Sequence, residues 1–423
     1  MVETAYVFIQ LPGQLEATIA GRFELHSDTS PQVGEFVYGE SYLANAAALP
    51  LDPIALPLKE QLFKTTSSSG FFGVIRDAIP DDWGRHVASK LYGSRFRTLF
   101  DCLWLPTGDR MGALSFGLTP RAPAEEKAPV RWEDLADTVY LEAIQKLDAD
   151  APLTPAEQEA ALAFGAGTTA GGARPKFTTL KGAAVWLAKL NRHSDRFNEV
   201  RVEAAMLDLA GQCGIEVPDH EILHIHGQDL LLVKRFDRAV TQAGILRHRM
   251  VSAATVFQAD EAAAQYSYTG SYPRLARELS RWTVTGARDQ RQLLRRMAFN
   301  ALTSTTDDHE RNHALVAQDS HFRLSPAFDL VPQISNTRRR HLSLGVGEYG
   351  ALASRQNLLS SSQAFQLSRE QANEVIDEVQ EVVRARWRTR LVERDVRKED
   401  IEKIADCFDP PAFEAPGQQG AAL

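Results

Sequence analysis

The stretch TTDDHERNHALV, residues 305–316, allows two interpretations that exclude each other. Residues 309–313 match H-E-x-x-H, the pattern in which two histidines on one face of a helix bind zinc and a glutamate acts as general base. In the same stretch Asp307 stands five positions before Asn312, the spacing of the aspartate and asparagine in the catalytic loop of kinases. The first interpretation predicts a metal-dependent hydrolase, and the second predicts a phosphotransferase.

The residues around this stretch favour the second interpretation. Residues 304–308 are polar and typical of a loop, and residues 313–324 alternate as the strands of a hairpin do, so no helix is expected to hold the two histidines. The longer zinc pattern also requires a glycine and a third histidine, but Val316 and Asp319 occupy those two places.

Phosphoryl transfer needs a carboxylate that accepts the proton of the attacking hydroxyl, together with groups that hold metal ions against the phosphates of ATP. Asp307 and Asn312 are predicted to supply this carboxylate and one metal ligand. Asp329, in LSPAFDLVP, is predicted to supply a second metal ligand, because a short hairpin brings its two ends together. Lys189, in the strand AVWLAKL, is predicted to contact the ATP phosphates, and Glu203 on the next helix is predicted to pair with this lysine.

Composition and charge narrow the class of protein. The chain has 423 residues, of which 44% are hydrophobic and 24% are charged, as in soluble proteins of two or three domains. Its net charge of −8 argues against a protein that coats nucleic acid over a broad surface. Cys102, Cys213 and Cys407 are widely spaced, which predicts a cytoplasmic protein without disulfides. No apolar run approaches the roughly 20 residues of a membrane span and no signal peptide is recognisable, so no membrane association is expected.

The order of segments predicts an α+β fold with two lobes. Residues 1–120 are expected to form a small α+β domain. Residues 121–240 would complete the N-terminal lobe, with a glycine-rich loop, a β-sheet that carries an internal lysine, and a hairpin that turns at Gly227. Residues 241–408 would form a mostly helical C-terminal lobe with the polar loop, and the proline- and glycine-containing tail 409–423 is expected to be poorly ordered.

Several segments together resemble the HipA family, the Ser/Thr protein kinase toxins of bacterial HipBA toxin–antitoxin modules. The segments that carry the resemblance are GDRMGALSFG (108–117), AGGARPK (170–176), AVWLAKL (184–190), LVKRFDR (232–238), TDDHERN (306–312) and SPAFDL (325–330). The resemblance implies a kinase-like two-lobed fold, distantly related to phosphoinositide kinases, with ATP and Mg²⁺ between the lobes.

The resemblance also implies roles for individual residues. Asp307 would be the catalytic base, and Asn312 and Asp329 would hold magnesium. The residues implied in ATP binding are Gly171, Gly172, Ala173, Arg174, Pro175 and Lys176 of the phosphate loop, Lys189, the hinge residues Lys234, Arg235 and Phe236, and His309, Asn312, Phe328 and Asp329. The two glycines allow backbone N–H groups to approach phosphate closely.

Two positions depart from the family pattern. The family's autophosphorylation site lies in the phosphate loop, where this chain has Thr168 and Thr169. These threonines are either candidates for self-inactivating phosphorylation or ordinary turn residues. Asp308 replaces a glycine that often follows the catalytic aspartate; it either points to solvent or adds negative charge near the metals and slows turnover.

The resemblance implies macromolecular partners as well. HipA-type toxins are neutralised by a small helix-turn-helix antitoxin, HipB, and join it on operator DNA, while their protein substrate is typically an aminoacyl-tRNA synthetase whose modification arrests growth. Two basic segments, Arg338–Arg340 and the run Arg384, Arg386, Arg388 and Arg390, are candidates for nucleic-acid contact. A solvated helix face balanced by Glu378, Glu381 and Glu393 is the favoured interpretation of the run, because alternate residues of a helix point to all sides.

Two other hypotheses remain beside the protein kinase. The chain is either a kinase-like co-repressor that acts with its antitoxin on DNA, or a kinase for a small molecule or lipid. The intact set Asp307, Asn312 and Asp329 favours an active protein kinase over the co-repressor.

Overall fold

The computed structural model describes residues 2–65, 67–136, 138–163, 174–259 and 270–414. The chain divides into two compact units that are each assembled from separate segments. The first comprises Met1–His193, His224–Ala262 and Val316–Ser320, and the second comprises Ser194–Leu223, Ala263–Leu315 and His321–Leu423. The domain boundaries expected at residues 120, 240 and 408 stay predictions.

The first unit begins with an antiparallel sheet of strand order β4-β3-β2-β1-β5. Its strands are β1 (Val2–Gln10), β2 (Ala17–His26), β3 (Val33–Tyr38), β4 (Phe63–Lys64) and β5 (Leu114–Gly117). Aromatic side chains form the core beside this sheet: the ring centroid of Phe23 lies 5.4 Å from that of Phe71 and 6.2 Å from that of Phe100. The segment 1–117 therefore has its own apolar core.

A second sheet contains β6, β7, β8 and β10 in that order. Its antiparallel register places Lys176 of β7 directly opposite Lys189 of β8. The predicted turn at Gly227 lies between β9 and β10, where Gly227 has a φ of 78° that favours glycine. The next strands along the chain are β6 (Val130–Arg131), β7 (Lys176–Lys181), β8 (Ala184–Leu190), β9 (His220–Ile225), β10 (Gln228–Lys234), β11 (Arg238–Thr241), β12 (Gly244–Arg247) and β13 (Arg249–Ser252).

Short helices connect these strands. They are α1 (Glu40–Leu43), α2 (Gly73–Asp77), α3 (Asp82–Tyr92), α4 (Thr138–Asp148), α5 (Pro155–Ala163) and α7 (Ala253–Val256). The side chain of Asp81 caps α3 by accepting a hydrogen bond from the N–H of Gly84 at 2.7 Å. This cap fixes a carboxylate close to the start of β7.

The second unit is mostly helical. Its helices are α6 (Glu199–Gln212), α8 (Tyr272–Trp282), α9 (Gly286–Leu302), α10 (Arg355–Ser360), α11 (Arg369–Glu393) and α12 (Lys398–Ile404). Helix α9 packs against α8 and α11, and its last seven residues are all buried. The predicted hairpin follows as β14 (Ala314–Ala317) and β15 (Arg323–Leu324). In the described part of the chain, no helix has the length and apolar character needed to cross a bilayer.

The arginine run of α11 is largely neutralised by carboxylates. Arg384, Arg388 and Arg390 pair with Asp409, Glu402 and Glu393, respectively. In the other basic segment, Arg340 is buried and donates from Nε to the hydroxyl of Ser304 at 3.3 Å. These contacts favour a solvated, charge-balanced helix face for the run over a surface that binds nucleic acid.

Candidate active site

The polar loop at 303–312 leaves the buried end of α9 through a sharp change of backbone direction. Ser304 has a φ of 51°, and its carbonyl accepts a hydrogen bond from the N–H of Gln333 at 2.9 Å. The N–H of Thr305 donates to the carbonyl of Asn300, two residues before α9 ends at Leu302. The loop is therefore fixed at its base to a helix whose other side forms the core of the unit.

Hydrogen bonds inside the loop hold Asp307 and Asn312 together. The side-chain Nδ2 of Asn312 donates to the carbonyl oxygen of Asp307 at 2.7 Å. Residues 310–312 form one turn of 3₁₀-helix, and Nδ1 of His309 accepts from the N–H of Arg311 at 3.3 Å at its start. Because Asn312 donates through nitrogen, its carbonyl oxygen Oδ1 is the atom left to act as a ligand.

The geometry contradicts the zinc interpretation of H-E-x-x-H. His309 lies before a single 3₁₀ turn and His313 lies after it, so the two histidines do not share the face of an α-helix. His313 is fully buried with its ring edge-on to Tyr272, and burial lowers its pKa to about 3. A neutral imidazole packed in the core is a structural side chain here.

Asp307 and Asp329 are close enough to influence each other electrostatically. Asp307 is exposed at the loop surface, and partial desolvation raises the pKa of its carboxyl, with Asp329 adding to the rise and His309 opposing it. Asp329 has a φ of 59°, a strained backbone conformation of the kind that concentrates at functional sites. Asn312, Phe328 and Asp329 also line one small cavity. The structure thus brings the three predicted residues Asp307, Asn312 and Asp329 into one region.

Asp308 corrects one expectation from the sequence. It does not point to solvent: the residue is 2% exposed, and its carboxyl oxygens accept hydrogen bonds from the hydroxyl of Tyr272 at 2.5 Å and the N–H of Ser343 at 2.7 Å. Burial raises the pKa of Asp308 to about 8. The side chain is therefore a buried anchor beneath the loop, and it is largely uncharged at neutral pH.

This anchor predicts a pH-dependent stability that Asp308→Asn removes. The pKa of Asp308 lies above the ordinary value of 3.8, so its contribution is complete below about pH 4 and is lost as the pH rises through about 8. The unfolding free energy of the wild type, minus that of Asp308→Asn, is expected to fall over this interval with a slope of at most about 1.4 kcal/mol per pH unit. Urea unfolding at several pH values measures this difference. The buried His313 makes a pH-dependent contribution of opposite sign, but it is present in both proteins and therefore cancels. Parallel curves for the two proteins would contradict the assignment.

In the first unit, the structure gives Lys176 a carboxylate partner. Its Nζ lies 2.6 Å from Oδ2 of Asp81, and both side chains are almost fully buried. The backbone carbonyl of Lys176 also accepts from Nε1 of Trp83 at 3.0 Å. Like charges directly opposite on neighbouring strands repel, so Asp81 compensates one of the two facing lysines, Lys176 and Lys189. Nothing in the sequence pairs Asp81 with a strand that begins 95 residues later.

The hinge prediction needs a correction for Arg235. Its guanidinium is buried and binds Asp237 through Nε at 2.9 Å and Nη2 at 2.8 Å, and its Nη1 binds Asp109. Its backbone N–H donates to the carbonyl of Val185 at 2.9 Å. The side chain of Arg235 therefore serves the fold, and a contact with adenine stays a prediction only for the backbone carbonyl. Lys234 is exposed and Phe236 is partly exposed, and their nucleotide contacts stay predictions.

Arg235 belongs to a buried charge network that joins the segments GDRMG (108–112) and RFDR (235–238). The N–H of Gly112 donates to Asp237 at 3.0 Å, and Nη1 of Arg238 donates to Asp237 at 2.8 Å and to the carbonyl of Gly112 at 3.0 Å. Burial alone would raise the pKa of Asp237, but the two guanidinium groups hold it well below its usual range. We call the interacting residues of segments 108–112 and 235–238 the GDR–FDR network. Both segments carry the family resemblance in the sequence, but nothing in the sequence predicted that they bind each other.

The roles of several other residues stay predictions. Thr168, Thr169 and Gly171–Ala173 lie outside the described residues. Arg174 and Pro175 lie at the start of the described β7 segment, and their contacts with phosphate stay predictions. Glu203 is buried on α6. Its pairing with Lys189 also stays a prediction.

Comparison with known proteins identifies the family. The family model for the HipA N-terminal domain matches residues 14–117, and the model for the HipA-like C-terminal domain matches residues 168–387, just over half of the chain. A Sinorhizobium fredii protein named "Putative kinase Y4mE" is 24% identical over 350 residues, which cover 76% of each chain.

One solved structure shows the same fold over nearly the whole chain. HipA of Shewanella oneidensis, in a complex with HipB and operator DNA, aligns over 95% of this chain and 94% of its own with a TM-score of 0.65 and 17% identity. A Helicobacter pylori kinase, CtkA, aligns over 57% of this chain and 92% of its own with a TM-score of 0.35 and 13% identity. The predicted HipA-like α+β fold is confirmed by the first match. This chain belongs to the HipA family.

Proposed function

We propose that this protein is an ATP-dependent Ser/Thr protein kinase and the toxin of a type II toxin–antitoxin pair. The observation that carries the proposal is the set Asp307, Asn312 and Asp329, in which the amide of Asn312 holds the backbone of Asp307 and the two carboxylates influence each other. A carboxylate base with a neighbouring amide and carboxylate is the minimal protein contribution to phosphoryl transfer.

The ligand atoms of this set fit magnesium. Mg²⁺ prefers oxygen ligands and usually binds one or two carboxylates together with substrate phosphates. Asp329 offers a carboxylate, and Asn312 offers Oδ1 because its Nδ2 is used by Asp307. The metal, when bound, neutralises charge on the phosphates of ATP.

The catalytic role proposed for Asp307 is to orient the substrate hydroxyl and accept its proton at a carboxylate oxygen. Its exposure permits a protein substrate to reach it, and the raised pKa of its carboxyl makes it a better proton acceptor. Lys189, on β8, is proposed to contact the phosphates of ATP, and the backbone of residues 234–236 to bind the adenine.

The proposed partners follow from the family. The Shewanella protein was solved with HipB and operator DNA, which supports a HipB-like helix-turn-helix antitoxin and operator binding through it for this chain. An aminoacyl-tRNA synthetase in the cytoplasm is the proposed substrate, and Thr168 or Thr169 the proposed site of self-inactivation.

One experiment separates this proposal from its alternatives. Purified protein is incubated with Mg²⁺, γ-labelled ATP and a bacterial lysate, and the products are resolved by gel and mass spectrometry. Label on serine or threonine of a lysate protein is expected, and phosphate on Thr168 or Thr169 would support self-inactivation. Label only in small molecules or lipids would identify a different kinase class. No transfer, together with operator binding in the presence of the antitoxin, would favour the co-repressor alternative.

A further inference from the structure

A small cavity with several polar side chains in its lining lies between α9 and the loop that carries Asn312. Its volume is about 10 Å³, which is close to the space that one water molecule requires. The lining residues used below are Arg296 and Asn300 from α9, His313 from the end of the loop, and Asp329. All of them belong to the second unit.

Two of these lining side chains carry buried polar atoms that have no hydrogen-bond partner among the described residues. The atoms are Nε and Nη1 of Arg296 and Oδ1 of Asn300. The two residues are 3% and 2% exposed, respectively. His313, which is 3% exposed, also lines the cavity, and its ring has a hydrogen bond with the backbone of Asp308. Buried polar atoms are almost always hydrogen-bonded, so three such atoms around one cavity indicate a bound partner.

We propose that this cavity is the binding site of one ordered water molecule that links Arg296 and Asn300 of α9 to His313, and that Arg296 is thereby a positioning residue for the metal-binding side of the active site. Only the positioning role of Arg296 rests on the function proposed above. The water site itself follows from the cavity and its lining.

The mixture of donors and acceptors identifies the ligand as water. Arg296 offers only N–H donors, whereas Oδ1 of Asn300 only accepts, since its Nδ2 already donates to the hydroxyl of Tyr272 at 2.9 Å. A water molecule accepts from the guanidinium and donates to the amide oxygen. A halide ion would accept from Arg296 but would face the oxygen of Asn300 and the carboxylate of Asp329, which also lines the cavity.

Arg296 also has a direct contact that leads to the metal ligand. Its Nη2 donates to the carbonyl oxygen of Ser325, four residues before Asp329. Through this bond and the proposed water, one buried guanidinium fixes both the segment that ends at Asp329 and the loop that ends at His313. Partners of this kind orient metal ligands, and their loss typically lowers metal affinity about 10- to 100-fold.

A crystal structure of the full-length protein at atomic resolution tests the site directly. One density peak within hydrogen-bonding distance of Arg296, Asn300 and His313 is expected. A cavity without density would overturn the proposal. An anomalous peak at this position in crystals soaked in bromide would overturn the assignment to water. This readout does not depend on whether the protein is a kinase.

Enzyme kinetics test the positioning role. In Arg296→Met, the Mg²⁺ concentration that gives half the maximal rate is expected to rise about 10- to 100-fold, whereas Arg291→Met, on the same helix, should leave it unchanged. Arg296→Lys, which keeps one donor, is expected to give an intermediate value and serves if the methionine variant does not fold. An active kinase whose Mg²⁺ dependence is the same in all these proteins would overturn the positioning role. A wild type without phosphotransfer would overturn the proposed function and leave the density test to decide the water site.

Discussion

Asp307→Asn is expected to lower kcat for phosphoryl transfer by about 10²- to 10⁴-fold, the usual range for a general base. Asparagine has nearly the same shape and keeps the backbone carbonyl that accepts from Asn312, so the loop should stay intact. Because Asp307 is exposed, the unfolding free energy is expected to change little. Rates measured with labelled ATP under saturating substrate, beside urea unfolding of the same preparations, check both expectations.

The neighbouring acid provides a matched control. Asp308→Asn removes a carboxyl from the same loop, but this carboxyl is buried and hydrogen-bonded to Tyr272 and Ser343. It should therefore alter stability and its pH dependence, with kcat near that of the wild type at neutral pH. An Asp307→Asn protein with wild-type kcat would refute the role of Asp307 as base. Equal losses in both variants would indicate that the loop had collapsed.

Asp237→Asn is expected to lower the unfolding free energy by about 3–5 kcal/mol, because removal of one partner leaves buried charges without compensation. In the GDR–FDR network, Asp237 accepts hydrogen bonds from Arg235, Arg238 and the backbone of Gly112, and all three side chains are buried. In Asp237→Asn, the guanidinium groups of Arg235 and Arg238 would have Asp109 as the one remaining carboxylate of the network. Urea unfolding followed by circular dichroism measures the loss.

An exposed ion pair supplies the control for this variant. Asp82 binds Arg85 on the surface of α3, and its side chain is 71% exposed. Exposed pairs of this kind contribute about 0–1 kcal/mol, so Asp82→Asn should remain close to the wild type. Similar stability of Asp237→Asn and Asp82→Asn would show that the network is not needed for the fold.

The spacing of residues along the chain was sufficient to predict that Asp307, Asn312 and Asp329 lie in one region. Asp307 and Asn312 belong to one loop, and a hairpin of a few residues returns the chain toward Asp329, so local geometry brings the three together. Strand alternation and the glycine at position 227 likewise predicted the hairpin formed by β9 and β10. These features depend on contacts between residues that are near in sequence.

The features that the sequence did not predict depend on contacts between distant residues. Arg235 and Asp109 are 126 positions apart, and no pattern in either segment indicates that the two charges neutralise each other inside the protein. Asp308 looked like a loop residue open to solvent, because its partners Tyr272 and Ser343 lie 36 and 35 positions away. Burial of a charged side chain depends on the tertiary fold, and an aspartate in a polar stretch gives no local sign of it.

The GDR–FDR network has a consequence for exchanging parts between relatives. A hybrid that receives residues 1–120 from another HipA-like protein keeps its own Arg235 and Arg238. These arginines then need an acidic side chain and backbone carbonyl groups of the donor segment in the positions that they occupy in this protein. If the donor segment differs at these positions, buried charged groups lose their partners. Residues on an exposed surface could rearrange, but these cannot. The segments 108–112 and 235–238 therefore have to be exchanged together, although they are far apart in the sequence.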